Sequence, residues 1–260
     1  MLPDIDFYLV AVPAVLLVGL SKGGMGEALS LMGVPILSMV VSPVQAAALL
    51  LPILIAMDIV SLWIWRKHGD RQTLVMLLPG ALAGIAIGWA TSAYVPRDAL
   101  RLIIGLITVV FVLRYVYTLW RSRNGAPIQP KPQRAGPAAL WGSFAGYGSF
   151  VAHAGGPPFQ IYALPLKLAP REYTGTIVRF FAILNAVKLI PYFALGQLDF
   201  SNLKTSATLF PLAMVATACG ARIVRRMKPQ VFYPFMYTMA FLAGSKLVWD
   251  GLRSIISGGV

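Results

Sequence analysis

Cysteine, acid and histidine are all scarce in this chain, and each scarcity removes a class of function. Cys219 is the one cysteine, so no intramolecular disulfide can form. Charged residues make up 12% of the 260, with nine Asp and Glu in total, and the two histidines are His68 and His153. Clustered carboxylates, a metal-ligand set or a Ser/His/Arg constellation therefore have few positions from which to arise, and no catalytic residue, metal or cofactor is expected. No phosphate-cradling glycine loop ending in Lys and Ser or Thr is present, which leaves ATP-driven pumping without support. No basic run interleaves with aromatics, so nucleic acid is not an expected partner.

What the chain has in excess is apolar residue. At 58% hydrophobic, with several runs of ~20 apolar residues, it is far outside the composition of a soluble domain and reads as an integral membrane protein whose partner is the lipid bilayer. The net charge of +13, from 22 Lys and Arg, then reflects cytoplasmic loops of a multi-pass protein of the bacterial inner membrane. Asp4 and Asp6 stand where a secretory signal would carry basic residues, so the first apolar run is expected to be retained.

The apolar segments fall at 7–39, 44–65, 73–94, 100–120, 138–166, 173–195, 203–223 and 231–256. Between the fourth and fifth, residues 122–137 form a linker rich in Pro and Gly with no periodicity. It divides the chain into 1–121 and 138–260, and these halves repeat. A shift of 132 positions carries Gly23 and Gly24 onto Gly155 and Gly156, Pro79 onto Pro211, Gly88 onto Gly220, and Arg121 onto Arg253. A shift of 127 carries Pro43 onto Pro170 and Asp58 onto Asn185.

The segments 7–39 and 138–166 are each ~30 residues, too long for one ordinary crossing and too short for two, and each is interrupted by a polar, glycine-rich break. A re-entrant hairpin fits that length. Basic residues outside the spans decide the matter. Eight full crossings would distribute them 9 against 8, whereas two hairpins leave Arg97, Arg101, Lys204 and Arg253 on one side and the remaining 13 on the other. The expected fold is therefore all-α, with two inverted repeats, each a re-entrant broken hairpin followed by three transmembrane helices. The linker is then cytoplasmic and both termini are periplasmic.

Inverted repeats bring two breaks towards the midplane from opposite faces, where free N–H groups and positive helix ends suit an anion. The first break offers Ser21, Lys22, Gly23 and Gly24; the second offers His153, Ala154, Gly155, Gly156 and Pro157, with Pro157 suited to the first position of a new half-helix. Asp58 and Asn185, equivalent under the repeat, are read as lining the site or coordinating a coupling proton, with Lys188 on the face of Asn185 and Arg179 nearer the cytoplasmic end. Glu27, just after the first break, is a candidate partner for Lys22. The ridge Gly80, Gly84 and Gly88 permits close helix packing within the chain or between subunits, and so leaves a homodimer open.

The run Gly19 to Gly24, then Val34 with Pro35, Leu51 with Pro52, and Asp58, together with His153 to Pro158, Leu164 with Pro165, Gly175 with Thr176, Asn185 and Lys188, resembles the sulfite exporter TauE/SafE family of membrane anion transporters over nearly the whole chain. The resemblance implies a secondary transporter exporting sulfite or a small organosulfonate such as sulfoacetate. An importer or channel for another small anion, on the same scaffold, and an intramembrane lipid-phosphate enzyme are the alternatives.

Overall fold

The computed structural model describes residues 4–91, 94–121, 129–194 and 200–256, without the side chains of Glu27, Pro43, Val44, Ala47 and 191–202. Those described residues are helical throughout, with no strand among them. In chain order the helices are α1 (Ile5–Leu20), a π turn (Ser21–Met25), α2 (Glu27–Ser30), α3 (Gly33–Leu37), α4 (Pro43–Ile64), α5 (Arg71–Thr91) and α6 (Arg97–Arg121). They continue as α7 (Ala135–Val151), α8 (Gly156–Ala163), a 3₁₀ turn (Leu164–Leu166), α9 (Pro170–Ala194), α10 (Phe200–Arg226) and α11 (Pro229–Ile256).

Among the described residues, six stretches are long and apolar enough to cross a membrane: Ile5–Met25, Arg71–Thr91, Arg97–Arg121, Pro170–Ile190, Leu203–Arg226 and Pro229–Ile256. Their outer faces carry large exposed hydrophobics such as Val75, Ile87, Val110, Val215 and Trp249, which a water-facing surface would not tolerate in such numbers. The protein is an all-helical, multi-pass membrane protein.

The chain forms two compact units, and neither is a contiguous half. One comprises Met1–Gly69 with Pro170–Lys228, the other Asp70–Ala169 with Pro229–Val260. In the first, α1 and α4 pack on α10, and α4 also packs on α9. Its core joins Phe7, Ala11, Val15 and Val18 of α1 to Leu37 of α3, Leu49, Ile53 and Met57 of α4, and Ala213 of α10. Ser42 starts α4 by accepting a hydrogen bond from the Gln45 N–H at 3.3 Å, with Pro43 in the first turn, where its missing N–H is no loss.

In the second unit α5 packs along α7, and α6 along α11. The glycine ridge has an internal use here. A Cβ on Gly80 would overlap the Ala139 carbonyl, one on Gly84 the Ser143 carbonyl, and one on Gly146 the Ala81 carbonyl. Backbone cannot yield as a flexible side chain can, so the α5–α7 contact depends on these positions being glycine. Gly88 makes only ordinary contact, with Phe150 and Val151.

After the π turn the chain continues as two short helices, α2 and α3, and not as one half-helix. Pro35 explains the interruption. Its ring would clash with the carbonyl four residues back, at Leu31, and it has no N–H to donate, so a helix begun at Glu27 cannot run through it.

Candidate functional site

The first break is wound rather than cut. After Leu20 the chain enters the π turn Ser21–Met25, in which Gly24 has φ +119°, and Gly26 follows at φ +96°. Side chains with a Cβ rarely adopt such angles, so both positions call for glycine. Carbonyls freed by the π turn are taken up one by one. Ser21 Oγ donates to the Gly26 carbonyl at 2.8 Å, Ser61 Oγ to that of Lys22 at 2.8 Å, and Trp65 Nε1 to that of Gly23 at 3.3 Å. Ser21 thus braces the break. Gly23 lies so close to α10 that a Cβ there would overlap the Thr217 carbonyl.

Around this braced turn the same unit gathers a buried polar network. Lys22 Nζ donates to Asp58 Oδ1 at 2.7 Å, and Asn185 Nδ2 donates to Asp58 Oδ2 at 2.6 Å, so each carboxylate oxygen has a partner. Asp58 and Asn185 are 6% and 5% exposed, and Lys188, one helical turn beyond Asn185 on α9, is 5% exposed. A lysine, an aspartate and a second lysine are expensive to bury together, which makes this network the candidate site. The partner of Lys22 is Asp58; the Glu27 side chain lies outside the described residues.

Arg179 is used differently. Its guanidinium donates to the carbonyls of Arg66 at 2.8 Å, Gly175 at 2.9 Å and Trp65 at 3.1 Å, and also to that of His68. It satisfies the carbonyl end of α4, where a cation also complements the helix dipole. Glu172 completes this anchor by accepting from the Gly69 N–H at 2.6 Å.

The second break, in the other unit, has a different construction. α7 ends at Val151, and the N–H groups of Ala152 and Ala154 both donate to the Gly148 carbonyl, at 3.0 and 2.9 Å. His153, held between them at φ +53°, is exposed. Gly155 then caps α8, with Pro157 and Pro158 in the first turn, and all eight residues of α8 are buried. One of these was not foreseen from the sequence. Gln160 is fully buried, and neither its amide nitrogen nor its oxygen has a partner among the described residues. It lies one turn after Gly156, on the same helix face. A lone amide within the apolar run Phe159 to Ala163 was the available signal.

The structure therefore joins Ser21, Lys22, Gly23, Gly24, Asp58, Asn185 and Lys188 in one unit, and His153, Ala154, Gly155, Gly156 and Pro157 in the other.

A polytopic helical protein with two broken segments, one of them wrapped around buried lysines and an aspartate, has the construction of a membrane transporter. The sequence profile described as sulfite exporter TauE/SafE matches residues 11–247, and the chain belongs to that family. Neither a curated protein nor a solved structure matches it.

Proposed function

We propose that this chain is a secondary transporter of two inverted repeats that exports sulfite or a small organosulfonate, such as sulfoacetate, across the bacterial inner membrane. One observation carries the anion reading. Lys22 donates to Asp58, and the buried Lys188 belongs to the same unit, so two cations stand near the first break, in a family whose members move sulfur oxyanions. Glycines bring the backbone of Gly23 and Gly24 within reach of a small ligand, and Asn185 can turn its amide to it. At the second break the Gly156 N–H, together with His153 and the Gln160 amide, which has no partner among the described residues, offers donors of the same kind; Pro157 and Pro158 have no N–H, and that of Phe159 donates to the Gly155 carbonyl.

Two features support the repeat. Asp58 and Asn185, matched by the sequence shift, bond to each other, as residues beside an internal two-fold do. The helix pairs follow suit: α4 pairs with its equivalent α9, α6 with its equivalent α11, and the exchanged pairs α1–α10 and α7–α5 correspond. An inverted arrangement with re-entrant hairpins puts Asp4 and Gln129 on opposite sides of the membrane. In a Cys219→Ser background, cysteines at these positions should react with an impermeant thiol reagent from opposite sides. Reaction of both from one side would restore eight full crossings.

Transport itself is tested by efflux of sulfite from proteoliposomes, with sulfoacetate, sulfate and phosphate as competitors. Sulfite or sulfoacetate should compete best. Lys22→Ala removes one of the cations near the first break and should weaken competition by at least ~1.5 kcal/mol, about tenfold. Unchanged affinity in the folded variant would take Lys22 out of the site, and preference for phosphate would reject the substrate class.

A further inference from the structure

The second unit holds a cavity of about 480 Å³ whose chemistry the transport reading does not use. Its lining includes three cations, Arg114 of α6, Lys131 of the linker and Lys167 after the 3₁₀ turn. No carboxylate lines it, and residues 122–137 contain no Asp or Glu that could supply one.

The cations differ in how they are held. Arg114 and Lys131 are exposed. Lys167 is half-buried: its Nζ donates to the Tyr115 hydroxyl at 3.2 Å and sits 4.2 Å from the ring centre of Tyr233 and 5.3 Å from that of Tyr237. Aromatic faces attract an ammonium without neutralising it. Burial accordingly holds the Lys167 pKa below the usual lysine value.

The remaining lining is apolar and ordered along one helix face. Ile107, Val110, Phe111, Arg114 and Thr118 recur at spacings of three and four along α6, running from hydrocarbon to cation to hydroxyl. α6 is of membrane-crossing length, and Arg114 stands seven residues, about 10 Å, before its end at Arg121. Trp120, 65% exposed, marks that end as interfacial. Arg114 thus lies about 10 Å inward of that end, from where its guanidinium reaches out towards lipid phosphates, and Ile107 and Val110 lie deeper.

We propose that this cavity binds one anionic phospholipid, its phosphate held by Arg114, Lys131 and Lys167 and an acyl chain lying along Ile107 and Val110. A free inorganic anion would use the cations but not the apolar wall; a zwitterionic lipid would use the wall but bring a cation of its own to a headgroup site that already holds three. Basic pockets between membrane helices select anionic headgroups for these reasons. The site also touches the second broken segment. The Lys131 N–H donates to the Pro165 carbonyl at 3.0 Å, and Tyr233 donates to the Leu168 carbonyl, so a bound headgroup would fasten the end of the arm that begins at Gly156.

The test is native mass spectrometry of the full chain in detergent, with dioleoyl phosphatidylglycerol, dioleoyl phosphatidylcholine or inorganic phosphate added separately and together. Phosphatidylglycerol should be retained at least about fivefold over phosphatidylcholine, and the triple variant Arg114→Gln, Lys131→Gln, Lys167→Gln should lose that preference. Lys67→Gln with Arg71→Gln, which removes basic residues elsewhere, should keep it. If the triple variant does not fold, Arg114→Glu should lose the preference and Arg114→Lys retain it. Equal retention of the two lipids, or an unaltered preference in folded cavity variants, would overturn the proposal. So would displacement of the lipid by millimolar phosphate, which would make this a free-anion site. Binding here is read without transport, so failure of this proposal and failure of the sulfite reading are distinguishable.

Discussion

Asp58→Leu is expected to destabilise the protein by about 3–5 kcal/mol and to abolish transport, while Lys22→Met combined with Asp58→Leu recovers most of the stability and none of the transport. The single change leaves Lys22, with 14% of its side chain exposed, facing an apolar group where Asp58 had stood 2.7 Å away. A buried charge deprived of its partner costs far more than the intact pair contributes. Removing both members replaces an ion pair by apolar surface, which is often neutral. The Asn185 amide then loses its 2.6 Å acceptor in both variants, so recovery should stop short by about 1–3 kcal/mol. Thermal unfolding in detergent measures stability, and proteoliposome flux measures function. A single variant as stable as the double would show that Lys22 reaches water or another partner. A double variant that transports would show the network to be structural.

The long helices were legible because hydrocarbon thickness imposes their length and composition, and Pro and Gly punctuate their ends. The breaks were legible for the opposite reason, since Lys22 and three nearby glycines contradict an ordinary crossing. The match of Asp58 with Asn185 was visible as a sequence offset, and the structure adds that the two touch. Other features depend on packing between distant parts of the chain. Lys22 meets Asp58 of α4, 36 positions away in sequence, and no local pattern points to that partner. Arg179 shares roughly the face of Asn185, yet the carbonyls at the end of α4 claim its guanidinium. Helical periodicity gives the direction of a side chain and not the group that awaits it. Pro35 carried a readable signal, because a proline two residues into α3 forbids one continuous arm. The grouping of α1 to α4 with α9 and α10 had no such signal, since hydropathy records which segments cross and not which neighbours they choose.

Transport should follow the membrane potential rather than a proton gradient. An interior negative by 100 mV favours the exit of a monovalent anion by about 2.3 kcal/mol, roughly fifty-fold in equilibrium distribution, and of a dianion by about twice that energy. An anion exporter on such a gradient needs no coupling ion. Coupling to protons or sodium would call for an intramembrane acid with a free oxygen, and at the first break both oxygens of Asp58 are taken, by Lys22 and Asn185. With no coupling ion, the loaded and empty carriers differ by the substrate's own charge. Such a cycle moves charge with every turnover. His153 is exposed at the second break, and histidine is the side chain type whose charge most readily changes near neutral pH, so it is the residue to test for a pH response. Sulfite flux is to be measured in proteoliposomes, with a potassium diffusion potential and a pH gradient imposed separately. A potential of 100 mV should drive accumulation on the scale given above, with little response to the pH gradient alone, and His153→Ala should alter the pH profile without abolishing the response to potential. Flux that follows the pH gradient and ignores the potential would reject electrogenic export. It would also require Asp58 to leave Lys22 during the cycle or His153 to carry the proton.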